Sequence, residues 1–125
     1  MFEVEIFLSF SAAHRLRDYN GKCERLHGHN YKVHVVCRAK DISKQGMVID
    51  FIELKKATSE VLERLDHRFL NDVSPFDQIE PSAENLAKYL FDEIAANLED
   101  KSNLLHNVSV WESDTSRATY IRDES

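Results

Sequence analysis

Glu3–His14 reads EVEIFLSFSAAH, and its alternation decides the fold. Val4, Ile6, Leu8, Phe10 and Ala12 share one parity, while Glu3, Glu5, Ser9 and Ser11 take the other, which is the period-two pattern of a strand with one buried face. His14 continues the apolar parity, so an imidazole closes that face. A second run over 27–39 sets His27, His29, Tyr31, Val33, Val35 and Cys37 on one face and turns Lys32, His34 and Arg38 to the other. If these strands form an antiparallel pair through the loop 15–26, the end of the first lies beside the start of the second, and His14 approaches His27 and His29.

The period then changes. Phe51, Leu54, Thr58, Val61 and Leu65 recur at helical spacing after Asp50, and Asp50 with Glu53 resembles a capping box, predicting a helix that stops near Asp66. A second helix is predicted after Pro81, with Ser82 as N-cap, Glu84 in the first turn and Leu86, Leu90, Ile94 and Leu98 turned inward. Val108 and Val110 alternate with Ser109 and Trp111, and after a turn around 113–116 the run 118–121 reads as a hairpin partner. Two strands, two helices and two strands suit an α+β domain over 1–125 with an antiparallel sheet and both helices on one face.

Bulk properties narrow the function classes. The 125 residues are 42% hydrophobic and 30% charged, with no apolar run of membrane-spanning length, which predicts a soluble chain. The opening MFEVEIFLSF is interrupted by Glu3 and Glu5 and no basic segment precedes it, so it reads as a cytoplasmic start rather than a signal peptide. Two cysteines build no disulfide framework. A net charge of −6 argues against nucleic acid as a partner.

The chemistry concentrates in Cys23–Tyr31, CERLHGHNY. A His-x-His pair on a strand projects both rings to one side, and His14 from the neighbouring strand gives three imidazoles, a set suited to catalytic zinc with an open position. The bland alternative is a pair of exposed strand histidines. Cys23 either closes a structural site as fourth ligand or stands free as a base or nucleophile near the cation. Asp66-His67 is either a helix-end polar pair or a proton-handling dyad. Glu112 shares the parity of Val108 and Val110, so its carboxylate needs donors, from a heterocycle's adjacent N–H groups or from Arg122 in a rim salt bridge. Arg15, Arg17, Lys22 and Arg25 make a locally positive loop that could meet a phosphorylated ligand. His34 reads as an outward strand residue and His106 as a loop residue.

Taken together, His14, Cys23-Glu-Arg-Leu-His27-Gly-His29-Asn-Tyr31, Leu65-Asp66-His67, Leu70-Asn71, Pro81-Ser82-Ala83-Glu84-Asn85 and Glu112 resemble the 6-pyruvoyl-tetrahydropterin synthase superfamily across nearly the whole chain. The three-residue gap between Cys23 and His27 is most similar to its bacterial branch, 6-carboxy-5,6,7,8-tetrahydropterin synthase of queuosine biosynthesis. The resemblance implies a tunnelling fold, with a four-stranded antiparallel sheet and two helices in ββααββ order, assembled as a hexamer of two stacked trimers with active sites at subunit contacts. It implies a zinc-dependent lyase: His14, His27 and His29 as Zn2+ ligands, Cys23 as catalytic base with Asp66 and His67 as proton-handling partners, and Glu112 as the pterin anchor. The implied substrate is 7,8-dihydroneopterin triphosphate, converted to the 6-carboxy product with loss of triphosphate and acetaldehyde. Many relatives carry two hydroxyl residues before the second helix. Here the pair is Ser82-Ala83, so Ser82 keeps part of that contact or only caps the helix.

Overall fold

The structure, a computed structural model, describes residues 1–17 and 25–123. The two alternating runs form β1, Phe2–His14, and β2, His27–Ala39, paired antiparallel without interruption from Phe2↔Ala39 to His14↔His27. Apolar parity wins the register: a slip of one residue would turn Ile6, Phe10, Val33 and Val35, all buried, out to solvent.

Helix α1 spans Phe51–Leu62, shorter than the predicted stop, and residues 63–67 continue as turns. Asp50 caps it by accepting from the Ile52 N–H at 2.8 Å, but the capping box does not close, because the Glu53 carboxylate takes Lys101 at 2.8 Å instead. Phe51, expected on the inward face, stands exposed at the helix start, while Leu54, Thr58 and Val61 are buried. The Thr58 hydroxyl donates to the Leu54 carbonyl at 2.8 Å, which removes the cost of burying it. Helix α2 spans Ala83–Leu98 with the Ser82 hydroxyl accepting from the Asn85 N–H, and it buries Leu86, Leu90, Ile94 and Leu98 as the spacing requires.

Strand β3 is only Arg68–Phe69, followed by a 3-10 turn, Leu70–Asp72; β4 is Leu105–Ser113 and β5 is Ser116–Ile121. The sheet runs β3-β1-β2-β4-β5. The expected four antiparallel strands are all present, and the fifth is the short β3, which pairs parallel to β1 at Ala12↔Arg68 and Ala13↔Phe69. Two residues are too few for alternation to show, which is why periodicity did not predict it. His106, expected in a loop, lies inside β4, its Nδ1 beside Asn107 at 2.9 Å. Both helices contribute to one core with the inward faces of β1, β2 and β4, and no helix among the described residues is long and apolar enough to cross a membrane.

Candidate active site

The imidazoles gather where β1 ends and β2 begins. His14 pairs with His27 in register, and His29, opposite Ala12, sits diagonally from His14 with ring centroids 4.9 Å apart. Tyr31, fully buried, supports both rings from below at 6.0 Å and 5.5 Å. His14 itself is buried, and its Nδ1 lies 2.8 Å from the Pro81 carbonyl oxygen. A carbonyl only accepts, so Nδ1 carries the hydrogen and Nε2 presents the lone pair to the site.

Glu112 supplies the third group. The β4–β5 ladder runs Trp111↔Arg117 and then Ser113↔Ser116, which leaves Glu112 as the extra residue of a bulge. Bulges re-aim side chains beside functional sites. Here the carboxylate Oε1 lies 3.1 Å from His29 Nε2 and 3.5 Å from His14 Nε2. Ligand atoms of His14, His29 and Glu112 all fall within 4.8 Å of one another. Nitrogen and oxygen ligands about 2.05 Å from a tetrahedral zinc stand about 3.3 Å apart, and the two histidine–Glu112 separations bracket that figure. Two imidazoles and a carboxylate are a donor set that suits zinc. The residues therefore fit a divalent ion. His27 is not drawn into this set: it is exposed, and its ring stacks on His29 at 6.0 Å with 19° between the planes.

Asp66 and His67 are tied to β1 at Ser11, three residues before His14. Asp66 Oδ1 accepts from the Ser11 N–H at 2.9 Å, and the His67 N–H donates to the Ser11 carbonyl at 2.6 Å. That second bond holds His67 at φ 59°, a conformation few non-glycine residues adopt. Asp66 Oδ2 reaches His67 Nδ1 at 3.1 Å, so the two form the expected pair. The Ser11 N–H, and after it the neighbouring His67 charge, hold the Asp66 carboxyl below its ordinary range. His67 is exposed and lines a groove of about 470 Å³ with Ser11, Gly28, His29 and Asn30. A second hollow of about 450 Å³ is lined by Ala83, Glu84, Glu112, Arg117 and Thr119. The His29–Glu112 contact thus stands between the two.

Other readings resolve differently. Cys23 and Lys22 lie outside the described residues. The Ser82 hydroxyl is engaged as the α2 cap. Arg122 does not meet Glu112: it donates to the carbonyls of Leu105 and Ser102 and lies over Phe91. At the start of the positive stretch, the Arg17 guanidinium donates to the carbonyls of Ile79, Asn71 and Phe76, so it is engaged within the chain. His34 does stand on the outward face, edge-on to Phe7 at 4.6 Å. Sequence reasoning missed the bulge at Glu112 and the Pro81 carbonyl, since neither a register shift nor a backbone acceptor leaves a residue-type signal.

Comparison with known proteins agrees with this architecture. The 6-pyruvoyl tetrahydropterin synthase family profile matches residues 3–123. A 6-carboxy-5,6,7,8-tetrahydropterin synthase of Synechocystis is 38% identical over 119 residues, covering 90% of this chain and 88% of the relative. A 6-pyruvoyl tetrahydrobiopterin synthase of Poecilia reticulata is 37% identical over 126 residues, covering 90% and 84%. The solved 6-pyruvoyl tetrahydropterin synthase of Caenorhabditis elegans superposes with a TM-score of 0.87 at 34% identity over 98% of this chain and 96% of that one. The ββααββ scaffold with its added β3, the imidazole cluster at the β1–β2 end and near full-length similarity place the chain in the 6-pyruvoyl tetrahydropterin synthase family, with its tunnelling fold.

Proposed function

We propose that this chain is a zinc-dependent 6-carboxy-5,6,7,8-tetrahydropterin synthase, a cytoplasmic lyase of queuosine biosynthesis. It acts on 7,8-dihydroneopterin triphosphate and releases triphosphate and acetaldehyde. The observation that carries the reading is the convergence of His14 and His29 at the β1–β2 end, with His14 Nε2 turned inward by Pro81 and the Glu112 carboxylate beside them at the edge of a hollow. The three-residue gap from Cys23 to His27 favours the 6-carboxy product over the 6-pyruvoyl one.

His14, His27 and His29 would hold zinc, with His27 turning in from its stacked position on His29. When bound, the metal supplies Lewis-acid polarisation of the substrate's side-chain oxygens. Cys23 removes a carbon-bound proton as thiolate, and the Asp66–His67 pair receives and returns protons. Glu112 accepts the adjacent N–H groups of the pterin ring from the hollow that it lines with Ala83 and Glu84, and Ser82, next to Ala83 in sequence, is the second substrate-binding residue of this reading. Anchoring the ring at one end fixes the side chain at the other, which is where the proton transfer gains from restricted freedom. In this reading the chain assembles as a homohexamer of two trimers, with active sites at the subunit contacts.

Incubation with 7,8-dihydroneopterin triphosphate, with and without chelator, followed by mass spectrometry tests the reading. The expected result is 6-carboxytetrahydropterin with acetaldehyde, abolished by chelation. A 6-pyruvoyl product would assign the chain to the other branch, and no pterin turnover by zinc-loaded protein would leave a non-catalytic zinc module.

A further inference from the structure

We propose that Asn71 is a positioning residue for His14. Two residues of β3 pair with β1, Arg68 with Ala12 and Phe69 with Ala13, and then the backbone turns away into the 3-10 turn Leu70–Asp72. The ladder should end there. Instead the buried Asn71 side chain takes over: its Oδ1 accepts from the Arg15 N–H at 2.9 Å and its Nδ2 donates to the Arg15 carbonyl at 2.9 Å. The pairing keeps the 56-residue offset of the two backbone pairs before it. An amide side chain holds an N–H donor and a carbonyl acceptor side by side in one plane, so Asn71 can meet both backbone groups of Arg15 and acts as one more rung. Its orientation follows from its partners, because an N–H needs an oxygen and a carbonyl needs an N–H.

The rung matters because of what it brackets. Ser11, held by Asp66 and His67, lies before His14, and Arg15, held by Asn71, lies directly after it. With Nδ1 on the Pro81 carbonyl, the backbone and the ring of His14 are fixed independently. Without the rung, the residue following His14 loses both side-chain hydrogen bonds, and the direction of Nε2 toward His29 and Glu112 is no longer imposed by the backbone. Groups that orient a metal ligand without touching the metal typically change its affinity 10–100-fold.

The zinc consequence rests on the functional reading above; the orientation of His14 does not. Asn71→Asp is the decisive variant, because it keeps the shape and the acceptor for Arg15 N–H but sets a second oxygen against the Arg15 carbonyl in place of the donor, while Asn71→Ala, which adds no charge, separates the lost bonds from the added charge. Asn71→Ala removes both bonds. Imidazole 15N NMR of the metal-free protein reads the His14 tautomer and environment, and chelator competition reads zinc affinity. We expect altered His14 ring signals in both folded variants and zinc bound about tenfold or more weakly. A folded Asn71→Asp protein with native His14 signals and unchanged zinc affinity would overturn the proposal. Should Asn71→Ala fail to fold, Asn71→Asp decides alone. If the unmodified protein binds no zinc, the functional reading falls, while the His14 spectra still decide this one.

Discussion

His14 Nδ1 meets the Pro81 carbonyl at 2.8 Å, so the approach to α2 decides which nitrogen of an imidazole on β1 faces Glu112. The bond crosses 67 residues of sequence and links the sheet to the segment that lines the second hollow. A ligand whose free nitrogen is chosen by a backbone group binds without first selecting a tautomer.

Zinc binding should therefore depend on the rings unequally in kind but not in necessity. Replacing His14, His27 or His29 singly by Ala is expected to lower zinc affinity about hundredfold or more, beyond the range of outer-shell changes. Metal analysis after dialysis against a chelator measures this. Because His27 now stacks outside the 4.8 Å cluster, its variant is the most informative: full zinc retention in His27→Ala would replace the three-histidine set by His14, His29 and Glu112.

Glu112 is expected to serve the ring of the substrate. Hydrogen bonds to a charged group contribute about 1.5–3 kcal/mol, so Glu112→Gln should weaken pterin binding about 10–100-fold while zinc stays bound. Fluorescence titration with a pterin, alongside metal analysis of the same sample, reads both quantities. Loss of zinc with pterin affinity intact would move Glu112 into the metal's ligand set, where its 3.1 Å approach to His29 already places it within reach.

Much of this site was legible in residue order because the sheet converts parity into direction. His14 and His29 each stand at the end of an apolar alternation, and strand pairing brings those ends together, whereas His27, read into the same set, is exposed and Glu112, read apart from it, lies beside the two rings. The helices followed from period and caps, with Asp50 and Ser82 both found capping. What escaped notice was local and cooperative. Strand β3 exists because Ser11 and Ala12 offer it partners, not because two residues prefer to be extended. His67 holds a positive φ for the same reason, and the bulge at Glu112 arises from a mismatch between two strands rather than from either one.

The two cysteines should separate cleanly by reactivity. Cys37 is fully buried in β2, and burial pushes its thiol up to about 12, so it offers almost no thiolate near neutral pH. Iodoacetamide on native, zinc-loaded protein is expected to give a single adduct, at Cys23, with the metal retained. Protection of Cys23 by zinc would make it a ligand and remove it as base. Cys23→Ala should keep fold and zinc and lose turnover by a factor of about 100 or more, the usual scale for a general base.

Acid sensitivity provides the last test, through Asp66. Its carboxyl is held below the ordinary 3.8 chiefly by the Ser11 N–H, with the His67 charge adding to the effect. A depressed carboxylate contributes stability that is fully present above its unfolded-state value and is lost as pH falls through its lower folded-state value. Asp66→Asn keeps an acceptor for Ser11 but abolishes the titration. Urea denaturation at a series of pH values should thus show the native protein more stable than the variant by a constant margin near neutrality, with the margin shrinking below about pH 4. A margin that stays flat or widens on acidification would mean that the Ser11 contact does not stabilise the charged form. The stability of the clamp that presents His67 to its groove would then come from the His67–Ser11 backbone bond rather than from the Asp66 charge.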